Sequence, residues 1–267
     1  MANYEISMAA GIMPEATPEQ LIEAAANAEF DYGGMWIEKD LWDSAQLPKL
    51  RKKLSDTGLK LLDCEVAWLQ EGEIDPWLLE LVDITAELGA PNLLCVSSDP
   101  EADGTAEKLQ QMADRAKGTG VRINLEYALF TEVKSLGAAM DIMRGIDSDN
   151  KGILCDTLHF YRTGTQPSDL SDVPRELFGY AQLCDAGPQF FKDADDTDGV
   201  IEEAVDMRRP MGEGQLDIAG MVGALPGNLP YSIEERSKPL RDDFPDLNAR
   251  ARECARTTRA WFAKHHG

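Results

Sequence analysis

KGILCDTLHF, residues 151–160, carries four small or apolar residues from Gly152 to Cys155 and then the polar Asp156 and His159. A short apolar run ending in polar groups reads as a buried strand whose tip leaves the core. In a barrel or open sheet of parallel strands, sites are built at that carboxyl tip. The ten residues are therefore expected to form a strand, and Asp156 and His159 are the first site candidates.

Outward from this stretch, strand-like and helix-like segments alternate. Strands are expected at 4–12, 32–38, 59–69, 92–99 and 121–128 before it, and at 179–186 and 229–235 after it. Between them fall helical patterns. One opens at Thr17 with Pro18 in the first turn, one stops at Gly58, one runs from Asp75 to about Gly89, and others cover 104–120 and 133–146. A short helix is expected near 169–177, one after Asp217, and a long terminal one at 246–266. Repeated βα units imply right-handed crossovers and a parallel sheet. Eight of them in 267 residues fit a single-domain α/β protein, a closed (β/α)8 or TIM barrel over 1–267, with a doubly wound open sheet as runner-up. The longest irregular stretch, 186–215, is expected to lie over the barrel mouth as a lid.

Composition narrows the function. A hydrophobic share of 43% supports a real core, and a net charge of −22 disfavours nucleic acid and anionic membranes as partners. The five cysteines are widely spaced with no CxxC, as expected of reduced core residues in a cytoplasmic protein. MANYEISMAAGI at the start lacks a basic, then apolar, leader pattern, and no run of 18 apolar residues occurs.

The tips of the last four strands carry Glu126, then Asp156 with His159, then Gln182 and Asp185, then Glu234 and Glu235. Side chains alternate along a regular strand, so one member of each of the last two pairs faces inward. Three carboxylates converging on one mouth repel one another, and a divalent cation is the simplest remedy. A set such as Glu126, Asp156, Gln182 and Glu234 is all oxygen, which suits Mn, Mg or Co. Each residue alone has a plainer reading, as a solvated rim carboxylate or, for Asp156, a turn cap.

NLEY (124–127), CDTLHF (155–160), AQLCDAGP (181–188), RRPMGEGQLD (208–217) and SIEERS (232–237) together resemble the xylose isomerase-like TIM barrels of the sugar phosphate isomerase/epimerase superfamily. The resemblance implies Glu126, Asp156, Gln182 and Glu234 as metal ligands, although many relatives have His where Gln182 stands. It implies that Glu126 or Glu234 removes a proton beside a metal-polarised carbonyl, that His159 holds a substrate oxygen, and that Arg208 binds substrate. Asp185 is counted with Arg208 as a substrate contact, and Arg209 is the rival of Arg208. The implied activity is isomerisation or epimerisation of a small polyhydroxy ketone or keto acid, with dehydration of a keto-cyclitol or 3-dehydroshikimate-like substrate as the alternative. A DNA-repair nuclease is disfavoured, because His265 and His266 are the only other histidines and lie at the tail. MGEGQLD is not a phosphate loop, since no GxxxxGK[ST] occurs. Cys155 and Cys184 read as core, and Trp36, Trp68, Tyr127 and Phe160 as apolar groups around the mouth. Arg252, Arg256 and Arg259 share a face of the terminal helix, whose apolar residues would support a homo-oligomer.

Overall fold

The protein is described by a computed structural model covering residues 4–266, without the side chain of His266. Met1–Asn3 of the N-terminal stretch, Gly267 and the side chain of one histidine of the tail pair thus lie outside what is described. Eight parallel strands close into a barrel. Around it run β1 (Ile6–Met8), β2 (Tyr32–Trp36), β3 (Lys60–Leu69), β4 (Asn92–Ser97), β5 (Arg122–Glu126), β6 (Lys151–Asp156) and β7 (Ala181–Leu183). The short strands β8 (Asp185–Ala186) and β9 (Arg208–Arg209) form a separate antiparallel ribbon, and β10 (Tyr231–Ile233) closes the barrel between β7 and β1. The open-sheet alternative is thereby removed.

Helices pack outside the staves: α1 (Pro18–Asn27), α2 (Leu47–Thr57), α3 (Pro76–Leu88), α4 (Ala102–Arg115) and α5 (Leu136–Arg144). Their ends follow the local chemistry. Thr17 forms a capping box with Gln20, and the Asp75 carboxylate accepts from the N–H of Trp77. Gly58 and Gly89 close α2 and α3 at φ 72° and 78°, where a side chain would be strained. The main apolar core lies between staves and helices. A smaller cluster of Leu62, Leu94, Val96, Leu154 and Tyr180 fills the barrel itself.

Several expectations are corrected. The first strand stops at Met8, and Ala10–Ile12 is a 3₁₀ turn. KGILCDTLHF is strand only to Asp156; α6 (Thr157–Arg162) begins at once, because the Asp156 carboxylate caps the N–H of His159 at 3.1 Å. The helix expected near 169–177 is two 3₁₀ turns, Pro167–Asp172 and Arg175–Leu177. The stretch 186–215 is not irregular. It holds α7 (Thr197–Asp206), whose Ile201, Ala204 and Val205 line the mouth, so its placement as a cover agrees with expectation. Arg162 fastens α7 by a two-pronged pair with Glu203 at 2.8 and 2.9 Å. After α8 (Ile218–Ala224), α9 (Lys238–Asp243) is an extra turn before α10 (Leu247–His266). Arg250 of α10 is fully buried and pairs with Glu15 at 2.7 Å, tying the terminal helix to the first loop. Among the described residues no helix is long and apolar enough to cross a membrane.

Candidate metal centre

Parallel register does the first part of the assembly. Asp156 stands directly beside Gln182, and Glu126 pairs with Leu154, two residues below Asp156 on the same face of β6. One oxygen each of Glu126 and Asp156 and a ring nitrogen of His159 lie within 4.8 Å of one another, close enough to share an ion. Glu234 follows β10 and stands opposite, its carboxylate 3.1 Å from Arg208. Arg208 also donates to Asp156 at 2.7 Å and so bridges the two acids. Of the paired alternatives, Glu234 faces this centre, while Glu235 is buried on the other side beside Cys254.

Arg208 reaches the centre because the β8–β9 ribbon pairs it with Ala186, just past the tip of β7, and its Nε is held by the Ala204 carbonyl at 2.8 Å. Its rival Arg209 points away and donates to the Glu213 carbonyl at 3.2 Å. Asp185 stays outside the mouth cavity. Its carboxylate accepts from the N–H groups of Gly212 (3.0 Å), Gly214 (2.9 Å) and Leu216 (3.0 Å), so it shapes the MGEG turn, with Gly212 at φ 89°. Tyr127 and Phe160 belong to the outer core, whereas Trp36, Trp68 and Phe130 line a mouth cavity of about 750 Å³ together with Glu126, His159 and Glu234.

The electrostatics follow from burial. Burial first, then the charges of Glu234 and Asp156, raises Glu126 well above the ordinary carboxylate range. Glu234 is likewise raised by burial, against the pull of Arg208. Burial alone would lower Arg208, but Asp156 and Glu234 outweigh it and hold it above its usual value. His159 is pulled down to about 4 by burial and is neutral. Arg208 Nη2 lies 3.3 Å from its Nε2, and a guanidinium only donates, so Nε2 accepts and the ring proton sits on Nδ1. Cys155 and Cys184 are buried thiols raised to about 12, which agrees with a core role.

The residues fit a divalent cation. Oε1 of Glu126 and both amide atoms of Gln182 are buried with no hydrogen-bond partner, which is costly unless something else binds them. Three carboxylates against one guanidinium leave two negative charges, which one divalent ion balances.

A second acidic pair lies deeper on β3, which the strand-tip argument passes over. Asp63 is buried and accepts from the Tyr180 hydroxyl at 3.2 Å; Glu65 accepts from the Trp36 indole at 2.8 Å. Burial lifts them to about 7 and about 8. A raised acid is stabilised in its protonated folded form. The folded state therefore loses stability as pH rises from the unfolded carboxylate range, near 4, through 7 to 8. Asp63→Asn removes part of that penalty. Its melting temperature relative to the wild type rises between pH 5 and pH 8 by on the order of 5 °C, read by thermal denaturation at both pH values.

The comparisons with known proteins come to the same architecture. The model of the xylose isomerase-like TIM barrel family matches residues 22–261, and the chain belongs to that family. A 3-dehydroshikimate dehydratase of Pseudomonas aeruginosa is 32% identical over 220 residues, 77% of this chain and 33% of the relative. One of Pseudomonas putida is 27% identical over 225 residues, 78% of this chain and 34% of the relative. The chain thus spans about a third of the length of the curated relatives it matches. Among solved structures, the IOLI protein with a binding zinc atom superposes with a TM-score of 0.80 at 16% identity, over 98% of this chain and 99% of that one. D-allulose 3-epimerase from Methylomonas sp. in complex with D-allulose gives 0.71 at 14% identity, over 100% and 98%. At such identities these structures speak for the fold alone.

Proposed function

We propose that the protein is a divalent-metal-dependent lyase that removes water from a cyclic hydroxy-ketone of the 3-dehydroshikimate type. The observation that carries the metal-dependent chemistry is the cluster of Glu126, Asp156 and His159 beside the unpartnered amide of Gln182. The choice of dehydration rests on the two Pseudomonas dehydratases, which lie well above the epimerases in identity. Glu126, Asp156, Gln182 and Glu234 would hold the ion, which when bound supplies Lewis acidity toward a carbonyl oxygen.

The chain's own residues do the rest. Glu126, buried and already raised toward proton uptake, takes the proton α to the ketone. Glu234 is the rival for that step. Arg208 holds Asp156 and Glu234 in place and faces the charge that develops on the carbonyl oxygen. Neutral His159 hydrogen-bonds a substrate oxygen. The hydroxyl β to the ketone departs as water with the proton that Glu126 has taken, which returns the carboxylate to its starting state, and in a 3-dehydroshikimate ring tautomerisation of the product gives an aromatic dihydroxy acid. Trp36, Trp68, Phe130 and the cover from α7 exclude solvent from the mouth.

The second reading is epimerisation, in which the proton returns to carbon and no water is lost; the same acids serve it. Incubation with 3-dehydroshikimate and Mn²⁺, Mg²⁺ or Co²⁺, followed by absorbance and mass, separates the two. An aromatic product lighter by one water is expected. Deuterium uptake from solvent without loss of water would favour the epimerase, and neither change would overturn both readings.

A further inference from the structure

Arg236 is the basic side chain of the cavity wall that stands apart. Lys39 pairs with Asp75 at 2.6 Å, Lys108 with Asp99, and Arg208 with Asp156 and Glu234. Arg236 forms no ion pair among the described residues, and its Nε is buried without a hydrogen-bond partner.

Its position is nevertheless built. The guanidinium carbon lies 5.1 Å from the centre of the Trp36 ring, a cation–π distance. Its backbone carbonyl accepts from the N–H of Arg208 at 3.1 Å, which ties it to the metal-centre side of the mouth. Gly11 lies under its stem: a Cβ at that position would come within 2.7 Å of Arg236 Cδ and 2.8 Å of Cγ. The fold thus keeps a place clear for this arm. A guanidinium so desolvated gains most from an anion that supplies acceptors in its own plane.

We propose that Arg236, with Trp36 at its side, is the subsite that binds the carboxylate of a monoanionic substrate and sets the substrate's orientation over the metal centre. A carboxylate matches the planar fork, and its one negative charge balances the one desolvated positive charge. A phosphate dianion fits poorly, because the same cavity carries Glu38, Asp40, Glu73 and Asp75 along with its single unpaired cation. The inference rests on the proposed reaction for the identity of the substrate ring, and it adds which end of that ring is held and by what.

The test is binding of quinate, a hydroxylated cyclohexane carboxylate with no ketone to react, against its methyl ester, by titration calorimetry on the protein with and without Mn²⁺. The wild type is expected to prefer the acid on the order of 10- to 100-fold, and Arg236→Met to bind acid and ester alike. Should Arg236→Met fail to fold, Arg236→Lys, which keeps the charge and loses the fork, is expected to lower the preference. Equal affinity of the wild type for acid and ester, no binding of either at millimolar concentration, or a preference untouched in the folded variant would overturn the assignment. The two readings fail separately. Acid-selective binding through Arg236 without loss of water from 3-dehydroshikimate would remove the proposed reaction and leave the subsite. Loss of water without acid selectivity would do the reverse.

Discussion

Glu126→Gln is expected to lower turnover about a thousandfold while leaving the barrel folded. The substitution keeps the shape of a buried side chain and replaces a basic carboxylate by an amide that does not take up a proton near neutral pH. It also takes one negative charge out of a cluster in which Glu126, Asp156 and Glu234 repel one another. The metal-free variant is therefore expected to melt no lower than the wild type, while its affinity for Mn²⁺ falls. Activity at saturating Mn²⁺, metal content after dialysis and a melting curve read the three effects. A variant with unaltered turnover and metal content would remove Glu126 from the chemistry.

Arg208→Met is expected to act in the opposite sense, on stability first. Arg208 is the cation between Asp156 and Glu234, all three buried, and its removal leaves both carboxylates without the counter-charge that pairs with them. Breaking a buried pair in this way costs about 3–5 kcal/mol. For a chain of this size that is on the order of 10 °C in the melting temperature. A divalent cation restores part of the loss, because it replaces the missing positive charge. Arg208→Lys is expected to recover little, since the guanidinium reaches Asp156, Glu234, His159 and the Ala204 carbonyl at once and an ammonium does not. Melting curves with EDTA and with Mn²⁺ check both statements. A metal-free Arg208→Met protein as stable as the wild type would show that the two acids do not bear charge together.

These two outcomes bear on different parts of the centre. The first asks what the acids do to a substrate; the second asks how the fold tolerates them without an ion. In the absence of metal the cluster relies on the raised proton affinity of Glu126, caused first by burial, and on the charge of Arg208, which Asp156 and Glu234 hold against burial; neither comes from sequence neighbours.

Periodicity and caps made the barrel legible. Thr17, Asp75 and Asp217 mark helix starts through local hydrogen bonds that need no tertiary context, and Gly58 and Gly89 mark helix ends by their left-handed backbone. The strand tips bearing Glu126, Asp156 and Gln182 were legible for the same reason: alternation along a strand fixes which side chain faces inward. Boundaries were less so. The run from Lys151 to Phe160 hides a helix start because Asp156 is both the last strand residue and the cap of α6.

What the chain determined by itself was the order of eight βα units and the placement of oxygen donors on consecutive strand ends, since both follow from local pattern and from the parity of a strand. Tertiary structure decided the rest. It turned Asp185 beneath the MGEG turn, chose Glu234 over Glu235 and Arg208 over Arg209, set the Tyr180 hydroxyl against Asp63 inside the barrel, and laid Arg236 across Gly11 against Trp36. The physical reason is common to all of these. Each is a choice between positions that are equivalent locally, settled by which side chain finds a counter-charge, a donor or an empty volume contributed by a segment far away in the sequence.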